Sequence, residues 1–176
     1  MVFKNTEIKS ISLRYFNPIG AHESVLIGEN PLDKPQNLVP MITQTAIGKY
    51  PFLNIYGNDY KTRDGTCIRD YINVMDLADA HVSALSKLIK MNSSFYDVYN
   101  VGTGKGTSVL EVIDLFEKSN NLKLNYKFSD RRDGDVESAY ASCDKINKEL
   151  NWMAKYSLED SLISAWNWEC KINSKN

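Results

Sequence analysis

Two arginines followed by a glycine-flanked carboxylate, Arg131-Arg132-Asp133-Gly134-Asp135, are well suited to hold a phosphorylated ligand. A guanidinium fork matches a phosphate bidentately, and a carboxylate accepts two ribose hydroxyls. The same residues also make a solvated, salt-bridged turn. Arg69-Asp70-Tyr71 adds a second fixed cation with an aromatic ring two residues on. On a strand both side chains point to one face, which suits a pyrophosphate; pairing of Arg69 with Asp64 or Asp76 is the alternative. Gln36-Asn37-Leu38 sets two amides where a helix would begin. Capping explains Asn37, and the helix dipole would favour an anion there. Gly102-Thr103-Gly104-Lys105-Gly106 lies between a strand and a helix, the setting of a phosphate loop. A dinucleotide fingerprint needs a glycine where Thr107 stands, and no Walker A spacing follows, so the segment reads as a structural turn.

Nucleophilic chemistry finds no support. His22 and His81 have no Ser or Cys partner in a recognisable elbow. His81 reads as a satisfied partner of the core. Cys67, Cys143 and Cys170 sit in no reactive motif. Trp166 and Trp168 read as packing, because no basic groove accompanies them.

These residues need elements to position them. A strand is expected over 8–16, stopped by Asn17-Pro18 because Pro18 cannot donate to a ladder. A loop follows over 20–35, then a helix over 38–48 opened by Asn37 and closed by Gly48. Short strands are expected over 53–56 and 69–74, with a turn-rich loop over 57–66 between them. Asp76 reads as the cap of a helix over 77–90, with Ala78, Val82, Leu85 and Ile89 on one face. A strand over 97–101 precedes a capping box, Ser108 with Glu111, and a helix over 109–118. A strand over 123–128 and a last helix opened by the box Ser157 to Asp160 complete the chain. Alternation of strands and helices makes the class α/β or α+β.

Composition bounds the rest. The chain has 176 residues, 43% hydrophobic and 24% charged, which is ordinary globular usage. Twenty-one basic against 22 acidic side chains remove the footprint of a general nucleic-acid binder. No histidine–cysteine spacing fits structural zinc. No apolar stretch of about 18 residues exists to span a membrane. Residues 1–10 lack an apolar signal-peptide core. The expectation is a cytoplasmic protein of a reducing compartment, without nucleic-acid or membrane partners.

In order and spacing, these residues resemble the UDP-glucose 4-epimerases, of the extended short-chain dehydrogenase/reductase superfamily. The anchors run nearly end to end. They begin with Leu13-Arg14-Tyr15-Phe16-Asn17-Pro18-Ile19-Gly20-Ala21-His22 and Gln36-Asn37-Leu38-Val39-Pro40. Tyr56-Gly57-Asn58-Asp59-Tyr60, Asp64-Gly65-Thr66, Arg69-Asp70-Tyr71-Ile72 and Asp76-Leu77-Ala78 follow. Tyr99-Asn100-Val101-Gly102-Thr103-Gly104, then Arg131 to Asp135 before Asn151-Trp152, complete the set. Only the C-terminal half of the family is matched. The resemblance implies an α/β fold: a UDP-sugar-binding C-terminal domain over 21–176, plus late strands of an incomplete Rossmann sheet in 1–20. Residues 97–104 are candidates to pair back onto that sheet. It also implies NAD as cofactor, a UDP-sugar as ligand, and a homodimer for full-length members.

Carried over residue by residue, Tyr15 and Pro18 fall beside the nicotinamide and Asn17 against the nucleotide-sugar. Asn37 and Leu38 fall at the diphosphate and nucleoside. The backbone of Asn54, Ile55 and Tyr56 reads uracil. Arg69 and Arg132 clamp the diphosphate, and Asp135 holds the ribose. Ala139, four residues after Asp135, takes a gatekeeper position where a small residue is similar to members accepting N-acetylated sugars; a slip of one would put Tyr140 there. Departures are Tyr56 for Phe, Asn73 for His, Cys67 for Gly or Pro, and Gln36 for Asn. The family's Tyr-x-x-x-Lys pair has no counterpart, since none of the ten tyrosines is followed four residues later by Lys. The implied activity is interconversion of UDP-galactose and UDP-glucose, in galactose metabolism, through a transient 4-keto sugar. This chain would be the UDP-sugar anchor. A non-catalytic UDP-sugar-binding or regulatory remnant is the alternative. A related dehydratase or decarboxylase is disfavoured by Asn17-Pro18 and the 57–71 segment.

Overall fold

The computed structural model describes residues 8–174. What the sequence leads one to expect of residues 1–7 lies outside the described residues. The first strand forms as β1 (Lys9–Tyr15), but Pro18 does not end extended structure: the chain passes into a second sheet. Asn17–Ile19 makes a further strand, β2. It is tolerated because the Asn17 N–H, not the missing one of Pro18, donates to Asp70 O at 3.0 Å. Helix α1 (Leu38–Ala46) and strand β3 (Leu53–Tyr56) follow as expected.

The strand expected over 69–74 is broken in two, β4 (Ile68–Arg69) and β5 (Tyr71–Asn73). The break falls at Asp70, whose carboxylate turns inward. Helix α2 (Val74–Lys90) then starts three residues early, capped by Asn73 rather than Asp76. The Asn73 side chain accepts from Met75 N at 2.8 Å. Asp76 is buried instead and accepts from Lys155 N and Tyr156 N, at 3.0 and 3.1 Å. The helix also turns its apolar stripe outward. Val82, Leu85 and Ile89 are 62%, 57% and 73% exposed, while Leu77, Ala80 and Ala84 are buried. His81 is exposed too, its Nδ1 2.8 Å from Leu77 O.

The remaining elements are β6 (Phe95–Val101), β7 (Thr107–Ser108), α3 (Val109–Asn120), β8 (Tyr126–Ser129), β9 (Ser138–Ala139), α4 (Asp144–Leu150) and α5 (Leu158–Asn173). Both capping boxes form, Ser108 with Glu111 and Ser157 with Asp160. Strand β8 begins three residues later than expected, because Leu124 turns into the core and its N–H bonds Glu117 at 2.8 Å. Helix α4 was not expected at all.

The fold is α/β, built from small sheets. Strand β1 pairs parallel with β6, β2 with β5, and β3 with β8. Strand β4 lies between antiparallel β7 and parallel β9. One core gathers α1, β3, α3 and α5 around Ile42, Ile55, Ile113, Phe116 and Leu162. Trp166 packs edge-on against Phe116 at 5.9 Å. A second core joins α2, β6 and α4 through Ala80, Tyr99, Ile146 and Trp152. No helix among the described residues is long and apolar enough to cross a membrane.

At the edge of that second core, the Tyr99 hydroxyl sits between the carboxylates of Asp97 and Glu149, at 2.9 and 2.7 Å. Burial pushes the Asp97 carboxyl up, but hydrogen bonds from Lys145, the Val98 N–H and Tyr99 outweigh it and hold it at about 2, against an ordinary 3.8. A carboxyl held down in the folded state stabilises it above the ordinary value. That contribution drains away as pH falls from 3.8 towards about 2. Denaturant midpoints taken between about pH 5 and about pH 2 should fall steeply in the native protein and less steeply in Asp97→Asn. Equal slopes would remove Asp97 from the acid response.

Candidate nucleotide site

A cleft of about 430 Å³ opens where α1, β3, β4 and the loop after β8 converge. Every residue expected to hold the nucleotide lines it: Asn17, Asn37, Leu38, Asn54, Ile55, Tyr56, Arg69, Arg132 and Asp135. They come from five separate stretches of chain. Tyr71, expected on one face with Arg69, lines it too, as do Lys34, Cys67 and Val109, which were not singled out as ligands. Cys67 was findable, because it sits two residues from Arg69 and so on its face of an extended chain. Lys34 lies in the irregular 20–35 loop, where no periodicity assigns a direction.

The charged wall is held together by its own side chains. Asp135 bonds Arg132 at 2.9 Å and Arg69 at 3.4 Å. Arg69 is also held by Ile68 O at 2.8 Å, and the Arg132 guanidinium lies 4.9 Å from the centre of the Tyr56 ring. Arg131 turns away, paired with Asp59 at 2.7 Å and stacked 4.1 Å over Tyr60. Of the two adjacent arginines, only Arg132 reaches the cleft. Burial drives the Tyr71 phenol well above its ordinary range, with Arg69 opposing, so Tyr71 stays protonated.

Opposite lies the N-terminus of α1. Asn37 occupies the cap position, but its side chain makes no cap bond. It bonds Glu29 instead, whose carboxyl is raised by burial and partly lowered by that bond. Asn37 therefore leaves the first N–H groups of α1 without a side-chain cap, those of Leu38 and Val39, since Pro40 has none. Asn37 and Leu38 line the cleft, so this end of the helix favours an anion. Along the floor, β3 has β8 as its sole strand partner among the described residues. Its other edge leaves N–H and C=O groups free to read a ligand. The Asn54 side chain is engaged by Ser129 at 3.1 Å, so Asn54 presents backbone to the cleft.

Three expected positions stand apart. Tyr15, 53% exposed at the end of β1, and Pro18 do not line the cleft. Ala139 lies in β9, aligned with Arg69 in the ladder, and is not part of the lining. The glycine turn is filled from within: Thr103 N, Thr103 Oγ1, Gly104 N and Ala141 N all donate to Asp70, at 2.6 to 3.1 Å. A side chain at Gly102 would strike that carboxylate. A second hollow of about 420 Å³, beside His22 and Asp160, offers less. His22 is bonded to Ser24, and Asp160 to Ser157.

Comparison with known proteins gives this geometry its relatives. The family model described as GDP-mannose 4,6 dehydratase matches residues 2–164. The chain belongs to that family. Its relatives include the UDP-glucose 4-epimerase GEPI42 of Cyamopsis tetragonoloba, 53% identical over 162 residues, covering 92% of this chain and 46% of the relative. A UDP-glucose 4-epimerase from Stenotrophomonas maltophila, solved with NAD and formylated UDP-arabinopyranose, superposes at a TM-score of 0.93 with 41% identity. The superposition covers 97% of this chain and 50% of that one. The Bifidobacterium longum enzyme, solved with NAD+ and UDP, gives 0.91 at 42% identity, covering 98% and 50%. The chain thus spans about half the length of the relatives it matches. Within the dehydratase-described family, the resemblance to the UDP-glucose 4-epimerases stands.

Proposed function

We propose that this chain supplies the UDP-sugar site of a UDP-glucose 4-epimerase, interconverting UDP-galactose and UDP-glucose. The convergence of nine residues from five stretches on one cleft carries the reading. Three cations, Lys34, Arg69 and Arg132, against Asp135 give the walls a formal charge of +2, suited to a diphosphate. Arg69, Arg132 and the α1 N-terminus take the two phosphates, Asp135 takes the ribose hydroxyls, and the free edge of β3 takes the base. Binding energy spent on this remote part leaves the hexose loosely held and free to present either face.

NAD, present in the two solved relatives, has no complete site among these residues. The glycine turn holds Asp70, and Tyr15 with Pro18 supplies a border only. No hydride step is assigned to this chain. Ala139 next to Arg69 carries the hexose specificity, its small side chain leaving space for an acetamido group.

Calorimetry on the 176-residue chain should show UDP binding. The chain alone should not turn over UDP-galactose, since it has no Tyr-x-x-x-Lys. Joined to the N-terminal half of a relative, it should do so. Failure to bind UDP at millimolar concentration, or turnover by the chain alone, overturns the proposal.

A further inference from the structure

Lys34 is the cation of the cleft that no carboxylate claims. Arg69 and Arg132 both pair with Asp135, whereas Lys34 makes no ion pair among the described residues. Its Nζ lies 5.2 Å from the centre of the Tyr50 ring. The position of Tyr50 gives the ammonium a direction. Lys34 precedes α1 and Tyr50 follows it, so the side chain leans towards the far end of that helix and away from its anion-favouring N-terminus. Tyr50 also leads into the start of β3, while Tyr56 at the other end of that strand holds Arg132. The strand between spans about 10 Å. The arginines and Lys34 therefore stand at opposite ends of the strand whose open edge lines the cleft.

We infer that Lys34 is a specificity residue that reads the nucleobase, selecting a keto oxygen over an amino group. This rests on the nucleotide reading above. With the diphosphate drawn to the arginines and the ribose to Asp135, the base extends back along β3 towards Lys34. An ammonium is a donor only, with three N–H bonds and no lone pair. It satisfies a carbonyl oxygen on the pyrimidine ring of uracil. The exocyclic amine that replaces one carbonyl in cytosine is itself a donor, so the two N–H groups would oppose each other. A site built to hydrogen-bond one group rejects the analogue that lacks it.

Calorimetric titration of the chain and of Lys34→Met with UDP and CDP separates the possibilities. The native chain should prefer UDP by about tenfold, the worth of one charge-assisted hydrogen bond. Lys34→Met should weaken UDP and leave CDP no weaker than in the native chain, so that the preference is lost. A UDP-to-CDP ratio unaltered by the substitution overturns the inference, whether both affinities fall together, as for a phosphate contact, or neither moves. Absence of UDP binding by the native chain overturns the nucleotide reading itself and this inference with it.

Discussion

Arg69→Ala should weaken UDP binding by about ten- to a hundredfold, and Arg132→Ala by the lower end of that range. Both guanidiniums face the cleft and share Asp135. The difference comes from screening. The Arg69 side chain is 17% exposed and that of Arg132 is 51% exposed, so water weakens the second contact more. Removing Arg69 also leaves the partly buried Asp135 with one cation instead of two, which sets an uncompensated negative charge beside the phosphates. Lysine should rescue only part of either loss, because a point charge lacks the bidentate fork. Titration with UDP and with uridine distinguishes a phosphate clamp from a general packing role. The clamp predicts a large loss for UDP and a small one for uridine. Equal losses for both, or no loss for UDP, would remove the residue from the clamp.

The site was more legible in the sequence than the fold that carries it. Arg69, Arg132 and Asp135 stand out by residue type as candidates for holding a phosphorylated ligand, but the same types equally make a salt-bridged turn. Their convergence depends on chain reversals that spacing does not encode, and the resemblance supplied what spacing lacked. Capping boxes were readable because each is closed within four residues. The cap of α2 was not, because Asn73 and Asp76 both qualify locally. A contact some 80 residues away decides between them, where the 155–156 backbone takes the Asp76 carboxylate. The outward stripe of Val82, Leu85 and Ile89 is a reminder that periodicity finds a face without saying what it faces. Lys34 left no local signal, since a lone lysine in an irregular loop is the most ordinary of surface residues.

Asp70 shows how a residue that does not line the cleft can shape it, and its removal should produce a large stability loss. Its carboxylate is fully buried and accepts from Thr103 N at 2.9 Å, Thr103 Oγ1 at 2.6 Å, Gly104 N at 3.0 Å and Ala141 N at 3.1 Å. Asp70→Ala leaves four donors facing an empty space. Each buried donor without a partner costs about 1–3 kcal/mol, and relaxation or an entering water recovers part of the sum. A net loss of about 3–5 kcal/mol is expected, a large share of the stability of a typical domain. Asp70→Asn keeps the shape and one acceptor oxygen but turns an amide N–H towards backbone N–H groups, so it should lose a smaller amount. The cleft should suffer as well, because Arg69 and Tyr71 flank Asp70 and both line it. The inward turn of Asp70 falls between β4 and β5 and leaves both neighbours lining the cleft. Urea midpoints for the two variants measure the stability term. UDP titration of Asp70→Asn, under conditions where it remains folded, measures the positioning term. A loss below about 1 kcal/mol for Asp70→Ala would mean that solvent replaces the carboxylate freely. Unchanged UDP affinity in a folded Asp70→Asn would mean that Arg69 is held by the Ile68 carbonyl and Asp135 alone.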